Sequence, residues 1–289
     1  MKGIGGFYYV KTADGTYECR ARGIFRKEEL IPLPGDRVVI SVTDGFSKSG
    51  QVEEILPRNT VLTRPAVANV NQLAAVFSVR APLPDCRLID KLLLSARIRG
   101  VDAFLCVNKI DLDKNGEYRQ ITEGYEKAGY SYVVLSSKTD TGFESLREML
   151  RERTTVFAGQ SGVGKSTILN RIMNTWVMKT GEVSGKIDRG RHTTRHAELL
   201  ELEGGGFVVD TPGFSSFELA GIEPGELEAL YHEFDEYRTR CRFKGCSHIR
   251  EPGCGVKEAV NAGAIDSGRY GRYIELYNIL KQRRDCRYD

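Results

Sequence analysis

Hydrophobic and polar positions fall into three different rhythms along the chain. Residues 7–10, 17–21, 37–42 and 49–55 are short segments with β-type content or two-residue alternation, punctuated by Pro32, Pro34 and Gly35. Four or five short strands in this length predict a small β-barrel, with an OB-fold as the natural candidate, and such barrels often carry single-stranded nucleic acid on one face. Near residue 64 the rhythm changes. Apolar runs at 73–79, 103–107, 132–135 and 155–158 alternate with helical spacing at 87–99, 117–128 and 143–150, and residues 197–202 and 207–209 add two more strands. Strands alternating with helices predict βαβ units and a parallel sheet. After residue 217 the pattern is helical: 223–237, 256–262 and 267–284, the last with Tyr270, Tyr273, Ile274, Tyr277 and Leu280 on one stripe that reads as a packing face. The predicted organisation is a barrel over 1–66, an α/β core over 67–217 and a small, mostly helical domain over 218–289.

At 289 residues, with 40% hydrophobic and 28% charged residues, this is an ordinary globular composition. The apolar runs are too short to span a bilayer and the first residues carry no apolar signal core, so a cytoplasmic protein without membrane attachment is expected. The net charge of +3 decides little, but its distribution is informative. Arg238, Arg240, Arg242, Lys244 and Arg250 fall in one acid-free stretch, and Lys186, Arg189, Arg191 and Arg195 form another cluster. Patches of this kind suit a polyanion.

The chemistry is concentrated in five short segments. Gly159, Gln160, Ser161, Gly162, Val163, Gly164, Lys165 and Ser166 satisfy G-x-x-x-x-G-K-[ST] between a strand and a helix. Its glycines free backbone N–H groups to wrap phosphates, Lys165 reaches the β- and γ-phosphates, and the Ser166 hydroxyl suits Mg²⁺. Asn108, Lys109, Ile110 and Asp111 close the 103–107 strand. The Asp111 carboxylate there can accept from N1 and the exocyclic N2 of guanine, donors that adenine does not offer on that edge. Lys109 can lay its stem along the base. Ser136, Ser137 and Lys138 close the 132–135 strand, where backbone N–H groups can read guanine O6. Asp210-Thr211-Pro212-Gly213 matches the D-x-x-G of GTPase switch II, with Asp210 toward Mg²⁺ and Gly213 toward the γ-phosphate. Gly190-Arg191-His192-Thr193-Thr194 lies where a switch I threonine belongs, and Thr193 or Thr194 would complete the Mg²⁺ shell. The base-reading segments precede the P-loop, the reverse of the usual order. Circular permutation accounts for this, because all five loops would sit on one edge of one sheet. Phe214 occupies the place of the water-orienting Gln of Ras-like enzymes. Slow hydrolysis alone, and faster hydrolysis when a partner completes the site, is therefore expected, with His192 a candidate to position water. An RNA-binding scaffold whose GTP site senses occupancy with negligible turnover is the competing reading.

Three of the seven cysteines, Cys241, Cys246 and Cys254, crowd around His248. An odd count in a cytoplasmic chain argues against a disulfide framework. Three thiolates and an imidazole make a closed set of four ligands, so one structural Zn²⁺ is expected.

On these residues, together with Thr167 after the P-loop, the chain resembles the small ribosomal subunit-dependent GTPase A family (RsgA, also called YjeQ or YloQ) over essentially its whole length. The resemblance implies a barrel, a permuted GTPase core and a zinc domain in that order. It also implies GTP hydrolysis stimulated by the small ribosomal subunit late in maturation, contact with ribosomal RNA, and a monomer. Gly162 stands where potassium-binding relatives of the class carry Asn.

Overall fold

The computed structural model describes residues 3–4, 6–23, 25, 30–63, 66–173, 198–210 and 221–288. The N-terminal strands are β1 (Gly3–Ile4), β2 (Phe7–Thr12), β3 (Gly15–Ala21), β4 (Val38–Asp44) and β5 (Ser49–Ile55). They run in the order β1-β2-β3-β5-β4, with β3 and β5 parallel and the other pairs antiparallel, the order of a five-stranded Greek-key barrel. Alternation turns Val10, Tyr17, Cys19 and Val52 inward around a small core that includes Phe25.

A hairpin of β6 (Val61–Thr63) and β7 (Ala66–Ala68) follows. It straddles the position where the sequence pattern changes, and the pattern did not predict it. Leu62 and Val67 are buried in the core of the larger sheet, while the Ala68 amide donates to the Pro34 carbonyl (2.9 Å) and the Asn69 side chain to that of Gly35 (2.9 Å). The hairpin is thus the seam between barrel and core.

The larger sheet is built from β8 (Gln72–Ser78), β9 (Asp102–Asn108), β10 (Tyr132–Val134), β11 (Thr154–Ala158), β12 (Glu198–Glu201) and β13 (Phe207–Asp210). Its spatial order is β10-β9-β8-β11-β13-β12, all parallel except for β12. Helices α1 (Cys86–Ile98), α2 (Tyr118–Lys127), α3 (Phe143–Leu150) and α4 (Lys165–Ile172) cover it. β8 is central and buried on both faces, which explains its unbroken apolar run. Leu73, Ala75 and Phe77 pack with Leu92, Leu93 and Tyr125 on one side; Ala74 and Val76 pack with Leu146, Phe157 and Ile168 on the other. Asp85 caps α1, its carboxylate accepting from the Leu88 amide (3.1 Å). The chain enters this sheet in the middle at β8, moves outward to β10, and returns to β11 beside β8 before moving out the other way. Strand order therefore reverses between β8 and β11, the position where open α/β sheets hold ligands beyond their carboxyl ends.

Residues 223–237 are not the single helix that their spacing predicts. They form a 3₁₀ segment (Pro224–Leu230), a 3₁₀ turn (His232–Phe234) and α5 (Asp235–Arg238). Tyr231 breaks the run with extended backbone (φ −101°, ψ 97°). Its buried ring stacks on Phe234 (5.1 Å) and meets Tyr273 edge-on (5.1 Å), so aromatic packing wins over helical continuity. After α6 (Gly255–Asn261), the long α7 (Ser267–Tyr288) turns Tyr273 and Leu280 into the C-terminal core with Tyr270, Ile274 and Tyr277 packed against it, as the stripe predicted, and adds Leu276, which the stripe did not include. Leu94 of α1 belongs to the same core, so α1 is shared by both units. Among the described residues no helix is long and apolar enough to cross a membrane.

A buried ion cluster locks that junction. Arg269, on α7 and 1% exposed, donates to Asp90 of α1 (2.7 Å) and to Glu233, both themselves 3% exposed; Arg272 also donates to Asp90. Tyr125, Tyr130 and Tyr231 face the Arg269 guanidinium at 4.8–5.4 Å from ring centre to carbon. Burial works against its charge, but Glu233 and Asp90 outweigh it and hold the guanidinium pKa well above its ordinary value. Removing one partner of such a cluster strands a buried charge. Asp90→Ala is expected to cost about 3–5 kcal/mol, read as a lower denaturant midpoint and earlier proteolysis between α1 and α7. A midpoint equal to that of the unsubstituted protein would show that the cluster does not hold the junction.

Candidate functional site

Every parallel strand of the large sheet ends on the same edge, and four of the predicted loops begin there. The loop after β11 lies over β8: a Cβ on Gly159 would stand 2.0 Å from the Val76 carbonyl oxygen, so only glycine fits that close approach. Gly164 has φ +97°, and a Cβ there would stand 2.4 Å from Asn108 Nδ2. This space is used instead by a hydrogen bond in which the Asn108 amide donates to the Val163 carbonyl at 2.8 Å. Asn108 is buried, and its Oδ1 has no partner among the described residues.

Lys165 opens α4 and curls back over the loop, donating to the Gly159 and Gln160 carbonyls, both at 2.8 Å. Burial lowers its ammonium pKa, and among the described residues its hydrogen-bond partners are these two carbonyls. Ser161, Gly162 and Thr167 are exposed, Gln160 and Ser166 half-buried, and Val163 fully buried beneath the loop. Lys109, in left-handed backbone at φ +61°, donates to the Gly162 carbonyl (2.7 Å) and to that of Ala81. Asn108 and Lys109 thus clamp the phosphate-type loop from the side on which the base-type loop begins.

The Ile110 amide donates to the Leu135 carbonyl (3.1 Å), tying this loop to the end of β10. There Ser136 donates through Oγ to Asp111 Oδ1 (2.7 Å) and accepts from the Thr139 amide (3.2 Å). Ser136 thereby orients the exposed Asp111 carboxylate, a side-chain role for which the sequence carries no separate signal. Ser137 Oγ is buried without a partner among the described residues, and Lys138 is exposed. Asp210 ends β13, with its backbone opposite Glu198 and its strand adjoining β11. His192, Thr193, Thr194 and Gly213 lie outside the described residues.

The second constellation lies in the C-terminal unit. One ligand atom each from Cys241, Cys246, His248 and Cys254 lies within 4.8 Å of the others. His248 Nδ1 is 3.3 Å from Cys254 Sγ and 3.5 Å from Cys241 Sγ, and the two sulfurs are 3.9 Å apart. The cluster can hold a metal ion. Burial, reinforced by the neighbouring thiols, pushes Cys246 up to about 12, a proton that a bound cation would have to displace. Two groups that the sequence motif does not include complete the site. Glu251 accepts from the amides of Ser247 (2.9 Å), Ile249 (3.1 Å) and Arg250 (3.0 Å) and from the Ser247 hydroxyl (2.7 Å). Burial opposes its charge, but these bonds outweigh it and draw the carboxyl down to about 2. Glu228 lies 2.5 Å from His248 Nε2. Glu251 sits inside the ligand spacing and was findable there; Glu228, twenty residues upstream, was not.

The chain matches the model of the RsgA GTPase over residues 55–220 and that of the RsgA N-terminal domain over residues 1–48. A small ribosomal subunit biogenesis GTPase RsgA of Ruminiclostridium cellulolyticum is 56% identical over 97% of this chain and 92% of its own length. Its counterpart in Alkaliphilus metalliredigens is 47% identical over 98% and 97%. Among solved structures, YloQ, described as a circularly permuted GTPase, superposes with a TM-score of 0.80 at 36% identity, covering 98% of this chain and 93% of that one. YjeQ from Thermotoga maritima gives 0.79 at 37%, covering 96% and 95%. With its P-loop strand placed in the chain after the strands that carry the base-type loops, yet in the same sheet with only β8 between it and β9, the chain belongs to the RsgA family of circularly permuted GTPases.

Proposed function

We propose that the protein binds Mg²⁺·GTP on the carboxyl edge of the large sheet and hydrolyses it to GDP and phosphate when the small ribosomal subunit stimulates it, late in assembly, as a check on maturation that ends in release. The observation that carries this reading is the hydrogen bond from the Asn108 amide to the Val163 carbonyl. It joins the loop whose Asp111 suits guanine to the loop whose amides suit phosphates, so one nucleotide can bridge both. In this reading Lys165 leaves its two carbonyl acceptors for the β- and γ-phosphates, and Ser166 and Asp210 face Mg²⁺. Asp111, oriented by Ser136, accepts from guanine N1 and N2, while Ser137 and Lys138 present the backbone that reads O6. His192, Thr193 or Thr194, and Gly213 would complete the γ-phosphate side. Mg²⁺, which Ser166 and Asp210 would hold, would supply neutralisation of phosphate charge.

The donor set of three thiols and one imidazole is that of a closed structural Zn²⁺ site, and one Zn²⁺ per chain is part of this proposal. Just before and within the loop that carries these ligands, Arg238 at the end of α5 and Arg240 pair with Asp235 and Glu236. Arg242, Lys244 and Arg250 pair with no carboxylate among the described residues, and Phe243 between them is 45% exposed with the Arg242 guanidinium over its ring. Free cations around an exposed ring suit RNA, and ribosomal RNA is the proposed partner of this loop and of the barrel. The protein would act as a cytoplasmic monomer.

Three outcomes check the reading. Lys165→Ala should abolish subunit-stimulated phosphate release while leaving circular dichroism unchanged; retained turnover contradicts the assigned role. Asp111→Asn should weaken GTP binding by about 1.5–3 kcal/mol, roughly 10- to 150-fold, and improve xanthosine triphosphate, as equilibrium titration would show; unaltered base preference removes Asp111 from base recognition. Arg242→Ala with Lys244→Ala should weaken binding to small-subunit RNA and lower the salt slope by about one for each phosphate no longer neutralised; an unchanged slope places the RNA elsewhere.

A further inference from the structure

Glu228 sits on the 3₁₀ segment Pro224–Leu230, downstream of Asp210 in the chain. Its Oε2 lies 2.5 Å from His248 Nε2, while Nδ1 of the same ring faces Cys254 and Cys241. A carboxylate only accepts, so Nε2 is the ring's donor to Glu228, and Nδ1 is the nitrogen that faces the thiols. His248 is 1% exposed and held at φ +60°. The Tyr270 hydroxyl donates to its carbonyl (2.6 Å), and the Tyr273 hydroxyl to that of Ser247 (2.7 Å). The backbone around His248 is thus tied to α7, and its buried ring lies between the Glu228 carboxylate and the thiols.

The segment that carries Glu228 is tied to the GTPase core. The Ala229 carbonyl accepts from Arg97 of α1 through Nε (3.3 Å) and Nη2 (3.2 Å). Arg97 also lies 3.9 Å from Asp235, and Leu227 is fully buried in the C-terminal core beside Leu94 of α1. A continuous line of contacts thus runs from the thiol cluster through His248, Glu228 and Ala229 to Arg97.

We infer that Glu228 is the positioning residue that presents His248 Nδ1 to a metal ion, and that through it metal binding is coupled to the seating of Pro224–Leu230 on α1. The inference rests on the metal-binding reading of Cys241, Cys246, His248 and Cys254. Outer carboxylates of this kind raise the basicity of the ligating imidazole. Coupling is reciprocal: whatever the docked segment adds to metal affinity, the bound metal returns to docking.

The test uses the full chain, stripped by a chelator and reloaded. Zn²⁺ affinity is measured by competition with a chromogenic chelator, the Co²⁺ absorption spectrum reports ligand geometry, and hydrogen exchange is followed over residues 224–230. Glu228→Gln should weaken Zn²⁺ binding about 10- to 100-fold and alter the Co²⁺ spectrum, with Glu228→Asp recovering part of the loss. Zn²⁺ should slow exchange over 224–230 in the unsubstituted protein and much less in Glu228→Gln. Zn²⁺ affinity and a Co²⁺ spectrum in Glu228→Gln equal to those of the unsubstituted protein overturn the inference. Arg97→Ala leaves all four ligands and Glu228 in place and should lower Zn²⁺ affinity several-fold; no change overturns the coupling even if Glu228→Gln fails to fold. A Cys246→Ser protein that binds Zn²⁺ undiminished defeats the underlying metal reading instead, a result distinct from the others.

Discussion

The amide of Asn108 reaching the carbonyl of Val163 is the contact on which the nucleotide edge depends. It is short and buried, and it joins two loops 55 residues apart in the chain. Its geometry is possible only because Gly164 has no side chain: the space that a Cβ would take belongs to the Asn108 amide. One end of the bond comes from β9 and the other from the loop after β11, with β8 between the strands. The central strand therefore sets the spacing of the edge, and its burial on both faces makes that spacing rigid. Lys109 adds a second fastening to the same loop.

Permutation changes what the edge is connected to. In this chain the strand that ends at Asp210 is the last of the sheet, and the chain continues from it into the unit holding the thiol cluster. That unit is not loosely appended. Leu94 of α1 lies in its core, and Asp90 of α1 is buried against Arg269 and Arg272. A charge cluster this deeply desolvated adds little net stability but is costly to break, so it favours one docked arrangement over many. The C-terminal unit is therefore held to the core not only by the chain that joins them but by a fixed attachment on α1.

What could be read from the chain alone was what local chemistry encodes. The unbroken apolar run at 73–79 became the central strand because burial on both faces requires it. The glycines at 159 and 164 were readable because a phosphate-type loop needs backbone without Cβ, and both positions prove too close to a neighbour for any other residue. The crowding of Cys241, Cys246 and Cys254 around His248 anticipated a compact donor set. Tyr231 shows where such reading stops. Its place in a helical rhythm is genuine, but the partners that override the rhythm, Phe234 and Tyr273, are supplied by tertiary packing. The 61–68 hairpin was missed because three-residue strands carry too little periodicity to register, and what secures it is burial of Leu62 and Val67 in a core assembled from later sequence.

Glu228 belongs to that second, illegible class, and so does the side-chain role of Ser136, a residue read from the sequence only for its backbone; the two share a logic. Each is a side chain that holds another group in position: Ser136 fixes the Asp111 carboxylate, and Glu228 fixes the His248 imidazole. A ligand or a base-reading carboxylate is recognisable from its own chemistry and spacing, whereas the group that orients it needs only to arrive at the right distance from any direction. Glu228 comes from twenty residues upstream, on a segment bent by Tyr231 away from the helix its sequence suggests. Had residues 223–237 formed one continuous helix, Glu228 and Tyr231 would be fixed three positions apart on one regular surface. The interruption at Tyr231 gives each its own direction, with Tyr231 toward the aromatic core and Glu228 toward the imidazole. The local irregularity that defeats prediction from spacing is thus what brings the segment after the P-loop core into register with the thiol cluster.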